Sequence, residues 1–221
     1  KFQTFRTEFY VSRKDEKRFN KLKSFELTFD AFEKLSKVAA SLGILFLSTP
    51  FDIESAKFLD SIVPAFKISS GDNNFYPLIE NVAQTGKPIL MSAGIADMES
   101  IRYSKALIER IWYNKEIIQD MAILHCVTSY PVAPEDANLA AILHLKKELK
   151  CTIGYSDHTM GIEASAISVA VGARIIEKHF TLDKNYSDFR DHQLSADPQE
   201  MAELVKKVKE ISTLLGQGEK I

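Results

Sequence analysis

This 221-residue sequence has few cysteines, no long apolar run and no large excess of charge of either sign. Its two cysteines, Cys126 and Cys151, form neither a CxxC site nor a disulfide framework, so we expect reduced core thiols. No run approaches the roughly 18 apolar residues that span a bilayer. The first ten residues lack the apolar centre of a secretory signal. We therefore expect a cytoplasmic protein that does not enter membranes.

The charge balance excludes a global field that would attract nucleic acid or an anionic membrane. There are 28 Lys and Arg residues against 30 Asp and Glu, which gives a net charge of −2. The mixed-charge segment 13–23 is predicted as an exposed loop. A chain of this length buries about 70% of its unfolded surface or more, so it can hold a deep active site without disulfides.

Short apolar runs alternate with segments of helical periodicity along the chain. Seven runs predict strands at 1–5, 44–51, 65–71, 88–94, 121–131, 151–159 and 174–182. Helices are predicted at 28–42, 53–61, 76–85, 98–109, 138–150, 162–171 and 198–215, and Asp72 and Asn73 can cap the third of them. Strands that are apolar on both faces predict a parallel α/β sheet.

The closure of this sheet is predicted from its polar residues, which recur at the carboxyl ends of nearly every strand. That pattern favours a (β/α)₈ TIM barrel, whose loops converge on one mouth. The G-x-G-x-x-G run of a dinucleotide-binding open sheet is absent from the sequence. Because seven strands are one short of closure, we expect the first strand–helix unit to be missing ahead of Lys1.

Two predicted strand ends carry imidazoles. Alternation places Glu177 and His179 on one face of the last strand, and Ser156 and His158 on one face of the strand before it. Neighbouring strands lie about 4.8 Å apart, so the two rings can share one cation. Mn²⁺ suits them best, with Mg²⁺, Co²⁺ and Zn²⁺ as alternatives. A salt-linked core pair, or a bond from His158 to Asp157, is the structural alternative.

A second group of strand-end residues is basic or carries hydroxyl groups, namely Lys1, Lys67, Ser70, Ser92 and Ser156. A lysine inside an apolar strand requires a nearby anion. Small residues after Ser70 and Ser92 let backbone amides approach a phosphate. We therefore expect a ligand that carries phosphate, although an internal pair between Lys67 and Glu177 would explain the lysine equally well.

Six short segments of the sequence carry a family resemblance. In chain order they are STPFD, AFKISSGD, KPILMSAG, LHCVTSYP, GYSDHTMGIEA and IIEKHFTLDKN. Together they resemble the catalytic barrel of the N-acetylneuraminate (sialic acid) synthase family. The resemblance implies condensation of phosphoenolpyruvate with N-acetylmannosamine or a related diacetamido sugar. The product would be a nine-carbon 2-keto sugar acid, with phosphate released by C–O cleavage. A divalent metal and a homodimer are also implied.

The resemblance also implies roles for individual residues, motif by motif. The phosphoenolpyruvate-binding set would be Lys1, Lys67, Ser70, Ser92 and Ser156, and the metal ligands His158 and His179. Catalytic roles would fall to Glu177, Lys67 and His179. The sugar would contact Asp72, Tyr130 and Asp191.

The chain departs from this family at its ends and in one loop. The barrel domain is expected over 1–215, without the family's first strand, and 216–221 would lead toward an absent antifreeze-like domain. The family's Pro-Gly-Pro-Asp-His run is replaced by YSDFRDH at 186–192, so the acceptor sugar stays open. A Schiff-base aldolase that uses Lys67 or Lys178 and a non-catalytic sugar-phosphate-binding protein are the alternative functions.

Overall fold

The computed structural model describes residues 1–216 and 218, which form two compact units. The first unit comprises Lys1–Met91 and Ala96–Met121, and the second comprises Ser92–Ile95 and Ala122–Ile221. Both alternate parallel strands with helices, so the predicted α/β class is confirmed. The closed barrel and the missing first strand–helix unit stay predictions. Of the predicted tail 216–221, residues 217 and 219–221 lie outside the described residues.

The first unit carries two pairs of parallel strands, β1 with β2 and β3 with β4. The elements that lie wholly or mostly in it are β1 Phe2–Thr4, α1 Thr7–Tyr10, α2 Glu16–Lys23, α3 Phe29–Ser41, β2 Ser48–Pro50, α4 Ile53–Leu59, β3 Phe66–Ile68, α5 Tyr76–Ala83, β4 Ile89–Ser92 and α6 Met98–Asn114. Helices α3 and α4 begin where a side chain accepts a free amide of the first turn. Thr28 accepts from Ala31 N–H at 3.2 Å, and Asp52 from Ser55 N–H at 2.7 Å.

The second unit is built on three consecutive parallel strands. Its elements are β5 Met121–Cys126, α7 Ala141–Leu149, β6 Thr152–Asp157, α8 Glu163–Val171, β7 Ile176–Lys178, α9 Asp191–Leu194 and α10 Pro198–Leu215. Gly172 ends α8 in the left-handed region, at φ 117°, where a residue with a side chain would be strained. Buried Ile162, Ala166 and Leu204 pack α8 against α10.

Two local expectations are wrong. The segment 13–23 contains the helix α2, because Asp15 accepts the Arg18 N–H at 3.1 Å and starts a helical turn. Asp72 and Asn73 do not cap α5, whose first residue follows Phe75 with no side-chain cap. Both belong instead to the tight turn that follows β3. Among the described residues, no helix has the length and apolar character needed to cross a bilayer.

Candidate functional site

Two imidazoles stand side by side in the second unit. His158 directly follows β6 and His179 directly follows β7, and the strands pair Ser156 with Glu177 and Asp157 with Lys178. The centroids of the two rings are 5.3 Å apart, with 50° between the ring planes. In-register pairing of parallel strands therefore brings together two side chains that are separated by one whole strand–helix repeat.

His158 is buried and oriented by the backbone. Only 5% of the residue is exposed, and its Nδ1 donates to the Val127 carbonyl at 2.8 Å. A carbonyl only accepts, so the proton sits on Nδ1 and leaves the Nε2 lone pair for a ligand. Burial lowers the pKa of His158, against the opposing effects of the Val127 bond and the Glu177 charge, which favours the neutral ring.

The aromatic ring of Tyr130 packs against both imidazoles. Its ring stacks on His158 with centroids 4.1 Å apart, and meets His179 edge-on at 5.8 Å. The Arg190 guanidinium lies over the same ring, 4.6 Å from its centroid. Burial, supported by the negative charge of Asp191, raises the pKa of the Tyr130 hydroxyl, so this group stays protonated at neutral pH.

Asp191 reaches the site from an excursion of the second unit, residues 181–195, whose two ends meet. Its Oδ2 lies 3.9 Å from His179 Nδ1, and its Oδ1 lies 3.8 Å from Arg190 Nε. The excursion 181–195 is closed at its base, where Ala196 N–H donates to the His179 carbonyl at 2.8 Å and Thr181 N–H to the Ala196 carbonyl at 3.1 Å. The predicted sugar contact therefore lies beside a predicted metal ligand.

Glu177 lies in the middle of the short strand β7, and the two serines of this unit lie at or next to the ends of β4 and β6. Ser92 ends β4 and is 2% exposed, while Ser156 is 3% exposed and is the register partner of Glu177. The Glu177 carboxylate is half-buried, and its charge acts on both His158 and Tyr130. A carboxylate, two imidazoles and a phenol are thus concentrated at one end of β6 and β7.

The remaining predicted residues belong to the first unit. Lys67 in β3 is 3% exposed and donates from Nζ to the Ile68 carbonyl at 2.8 Å. Burial raises the pKa of Asp72, opposed by the Ser69 hydroxyl at 2.5 Å and by the Lys67 charge. Exposed Lys1 reaches Thr49 Oγ1 at 3.5 Å, and Ser70 opens the turn after β3. Lys67 and Asp72 are therefore electrostatic neighbours.

Two contacts of the second unit were not predicted from the sequence. Lys178 pairs with Asp157 at 3.1 Å, with side-chain exposures of 1% and 0%, on the face opposite Glu177 and His179. Strand alternation contains the signal for this pair, since 157 and 178 both fall between site residues. The contact of Arg190 with Tyr130 has no periodic signal, because it comes from an irregular segment.

The two imidazoles fit a divalent cation as a two-residue protein contribution. Imidazoles that share an ion through bonds of about 2.1 Å have ring centroids roughly 5 Å apart, in keeping with the separation found here. Within residues 1–216 and 218, no three His, Cys, Asp or Glu side chains form a group that could hold a metal. Oxygen atoms of water or of a substrate would therefore complete the coordination of the ion. Divalent ions that accept both nitrogen and oxygen ligands suit such a site.

Comparison with known proteins gives consistent matches over the whole chain. The sequence model of the NeuB family matches residues 1–220. The N,N'-diacetyllegionaminic acid synthase of Legionella pneumophila is 37% identical over 234 residues, covering 100% of this chain and 65% of that protein. An uncharacterized protein of Methanocaldococcus jannaschii is 46% identical over 222 residues, with coverages of 100% and 64%. The chain thus spans about two thirds of the length of these relatives.

A solved structure matches equally well. The N-acetylneuraminic acid (sialic acid) synthetase of Leptospira borgpetersenii, crystallised with citrate, aligns with a TM-score of 0.93 at 35% identity. The alignment covers 100% of this chain and 75% of that one. The present chain therefore has the fold of the corresponding part of that synthetase.

Proposed function

Because the chain belongs to the NeuB family, we propose that it condenses phosphoenolpyruvate with an N-acetylated hexosamine. N-acetylmannosamine and diacetamido sugars are the candidate acceptors, and the products are a nine-carbon 2-keto sugar acid and phosphate. One observation carries the proposal. The ring centroids of His158 and His179 are 5.3 Å apart, and the ring of Tyr130 stacks on His158. The homodimer and the cytoplasmic location stay predictions.

The proposed reaction forms one carbon–carbon bond and breaks one carbon–oxygen bond. The methylene carbon of phosphoenolpyruvate attacks the aldehyde carbon of the sugar, and the aldehyde oxygen takes up a proton. Water adds to the carbon that carries the phosphate and loses a proton. The bond between that carbon and the bridging oxygen then breaks, which yields the keto group and inorganic phosphate. The reaction needs no oxidant or reductant.

His158 and His179 would hold a divalent cation, with Mn²⁺ preferred and Mg²⁺, Co²⁺ or Zn²⁺ as alternatives. When bound, such an ion supplies Lewis-acid polarisation of a carbonyl oxygen. The Val127 carbonyl fixes the tautomer of His158, and Tyr130 packs against both rings. Glu177 is proposed to orient the attacking water and to accept its proton, because its carboxylate shares a strand face with His179 and its charge acts on both His158 and Tyr130.

The substrate contacts are proposed residue by residue. Lys1, Lys67, Ser70, Ser92 and Ser156 are proposed to bind phosphoenolpyruvate, and Asp72, Tyr130 and Asp191 the sugar. The burial of Lys67 supports its role, since a charge-assisted hydrogen bond is strong where water is excluded. A Schiff base at Lys178 is disfavoured, because its ammonium group is engaged by Asp157 and by the Thr159 carbonyl.

The experiment uses phosphoenolpyruvate labelled with ¹⁸O at the bridging oxygen. The purified protein is incubated with Mn²⁺, labelled donor and either N-acetylmannosamine or a diacetamido sugar, and phosphate and keto acid are analysed by mass spectrometry. We expect sugar-dependent phosphate that retains the label, because the bond between carbon and the bridging oxygen breaks. Loss of activity on chelation and recovery with Mn²⁺ are expected as well.

The matched controls are histidine variants of the same unit. His158→Ala and His179→Ala should lose turnover, while His144→Ala, which removes an exposed imidazole from α7, should keep it. Phosphate that lacks the label, or activity that persists in both site variants, would contradict the proposal. Borohydride trapping of a pyruvate adduct that disappears in Lys67→Met would instead establish the aldolase alternative.

A further inference from the structure

A fully buried ion pair lies immediately behind the two imidazoles. Asp157 Oδ2 is 3.1 Å from Lys178 Nζ, and the two side chains are 0% and 1% exposed. Asp157 also accepts the Ser165 hydroxyl at 2.6 Å, and both the N–H and the hydroxyl of Thr159 at 2.8 Å. Lys178 donates a second bond to the Thr159 carbonyl at 2.6 Å. The pair therefore connects β6 and β7 with α8 and with the turn that follows β6.

Stability alone does not account for such a pair. Removing two charges from water costs free energy that their attraction only partly returns, so a well-packed apolar pair is often as stable. The best-attested use of a buried polar group is to fix one register among several. The position of this pair in the register is therefore informative.

Asp157 and Lys178 are direct register partners, and each is followed by one of the two histidines. Alternation sends Asp157 and Lys178 to one face of the strands and the next residues to the other. Thr159 is held by both members of the pair, so His158 is fixed from both sides along the chain. Moving either charged residue would move the backbone from which an imidazole projects.

We propose that the Asp157–Lys178 ion pair is a positioning element that sets the separation of His158 and His179 for one divalent cation. Neither member of the pair touches the ion or a substrate. The inference rests on the metal site of the proposed function and goes beyond it, since it assigns a role to two residues of the opposite face. Removing the pair should weaken metal binding without unfolding the protein.

The test compares metal binding in the double variant Asp157→Asn/Lys178→Met with the parent protein. The double variant removes both charges at nearly constant volume, so no unpaired charge stays buried. Mn²⁺ affinity is measured from the electron paramagnetic resonance signal of free Mn²⁺, and ligand geometry from the visible spectrum of bound Co²⁺. We expect affinity to fall about tenfold or more, the range found when residues that orient metal ligands are removed, with an altered Co²⁺ spectrum.

The control is Lys207→Met, which removes an ammonium group of α10 that pairs with Glu163 of α8 at 3.3 Å and with Glu203 at 3.1 Å, and which leaves β6 and β7 untouched. It should bind Mn²⁺ like the parent. Circular dichroism checks that each variant is folded. Unchanged Mn²⁺ affinity and an unchanged Co²⁺ spectrum in a folded double variant would overturn this inference alone.

Two other outcomes of the metal-binding experiment also test the positioning role. A parent protein that binds no Mn²⁺ or Co²⁺ would overturn the metal site of the proposed function, and this inference with it. Should the double variant not fold, Ser165→Ala is used, since it removes one bond to Asp157 and keeps the ion pair. It should weaken Mn²⁺ binding about threefold, below the loss expected for the whole pair, and full affinity in this variant would refute the positioning role.

Discussion

Replacing Gly154 with alanine tests how closely β6 and β7 approach each other. A Cβ at this position would lie 2.6 Å from the Ile175 carbonyl oxygen, 3.0 Å from Ile175 Cβ and 3.1 Å from Leu124 Cγ. The carbonyl is not free to turn away, because it accepts the Tyr155 N–H at 2.8 Å. The strands must therefore separate or the hydrogen bond must lengthen.

The expected cost follows from three contributions. Overpacking of a well-packed core costs about 1–3 kcal/mol. A weakened backbone hydrogen bond adds about 0.5–1.5 kcal/mol. The stiffer unfolded chain of an alanine variant offsets about 0.4–1 kcal/mol. We expect Gly154→Ala to lower the free energy of unfolding by roughly 2 kcal/mol.

The measurement is equilibrium denaturation in urea, followed by circular dichroism. Gly71→Ala is the matched control, because its Cβ would meet only Ser69 Oγ, at an ordinary 3.7 Å. This control should not lower the free energy of unfolding, and the stiffer unfolded chain should raise it by at most about 1 kcal/mol. Equal stability of Gly154→Ala and the parent would refute the close approach of the two strands.

Two further predictions concern the first unit. Thr28→Ala removes the side chain that accepts the Ala31 N–H, so urea denaturation should show a loss of about 1 kcal/mol, and Thr28→Ser should recover it. Asp72 has a raised pKa in the folded protein, chiefly through burial, so the folded state holds its proton more tightly than the unfolded chain and stability falls as pH rises above about 4. The stability of Asp72→Asn relative to the parent should therefore be higher at about pH 7 than at about pH 3.5, and a difference that does not vary with pH would contradict this.

Helices and strands were predictable from the sequence where a local pattern, such as side-chain alternation in a strand, determines them. The alternation in β6 and β7 predicts that Ser156 and Glu177 share a face and that His158 and His179 follow them, because side chains in a strand alternate. Helix α6 was predicted to end at 109 but continues to Asn114. Trp112 explains the extension, since its buried Nε1 donates to the Ala83 carbonyl at 3.0 Å. The helical spacing of Ile101, Ile108 and Trp112 indicates one buried face, but the contact with Ala83 joins residues far apart in sequence, so local periodicity does not reveal it.

The irregular parts were less accessible to sequence reasoning. The apolar run 44–51 predicts a strand, yet only Ser48–Pro50 is one, and Leu45 is 78% exposed. Hydropathy marks a residue as apolar without saying whether a neighbour covers it. Likewise, the motif located Asp191 near the site, but the contact of Arg190 with Tyr130 depends on the path of an irregular segment.

The base of the excursion 181–195 has a consequence for how this protein could change its specificity. Two hydrogen bonds close it, from Ala196 N–H to the His179 carbonyl and from Thr181 N–H to the Ala196 carbonyl. Doubling the length of a loop whose ends are already fixed costs only about 0.6 kcal/mol. If the proposed function holds, grafts or insertions between these bonds should alter the surface offered to the acceptor sugar while the ends of β6 and β7 stay undisturbed, and this stretch is then the place to diversify in a search for new acceptors.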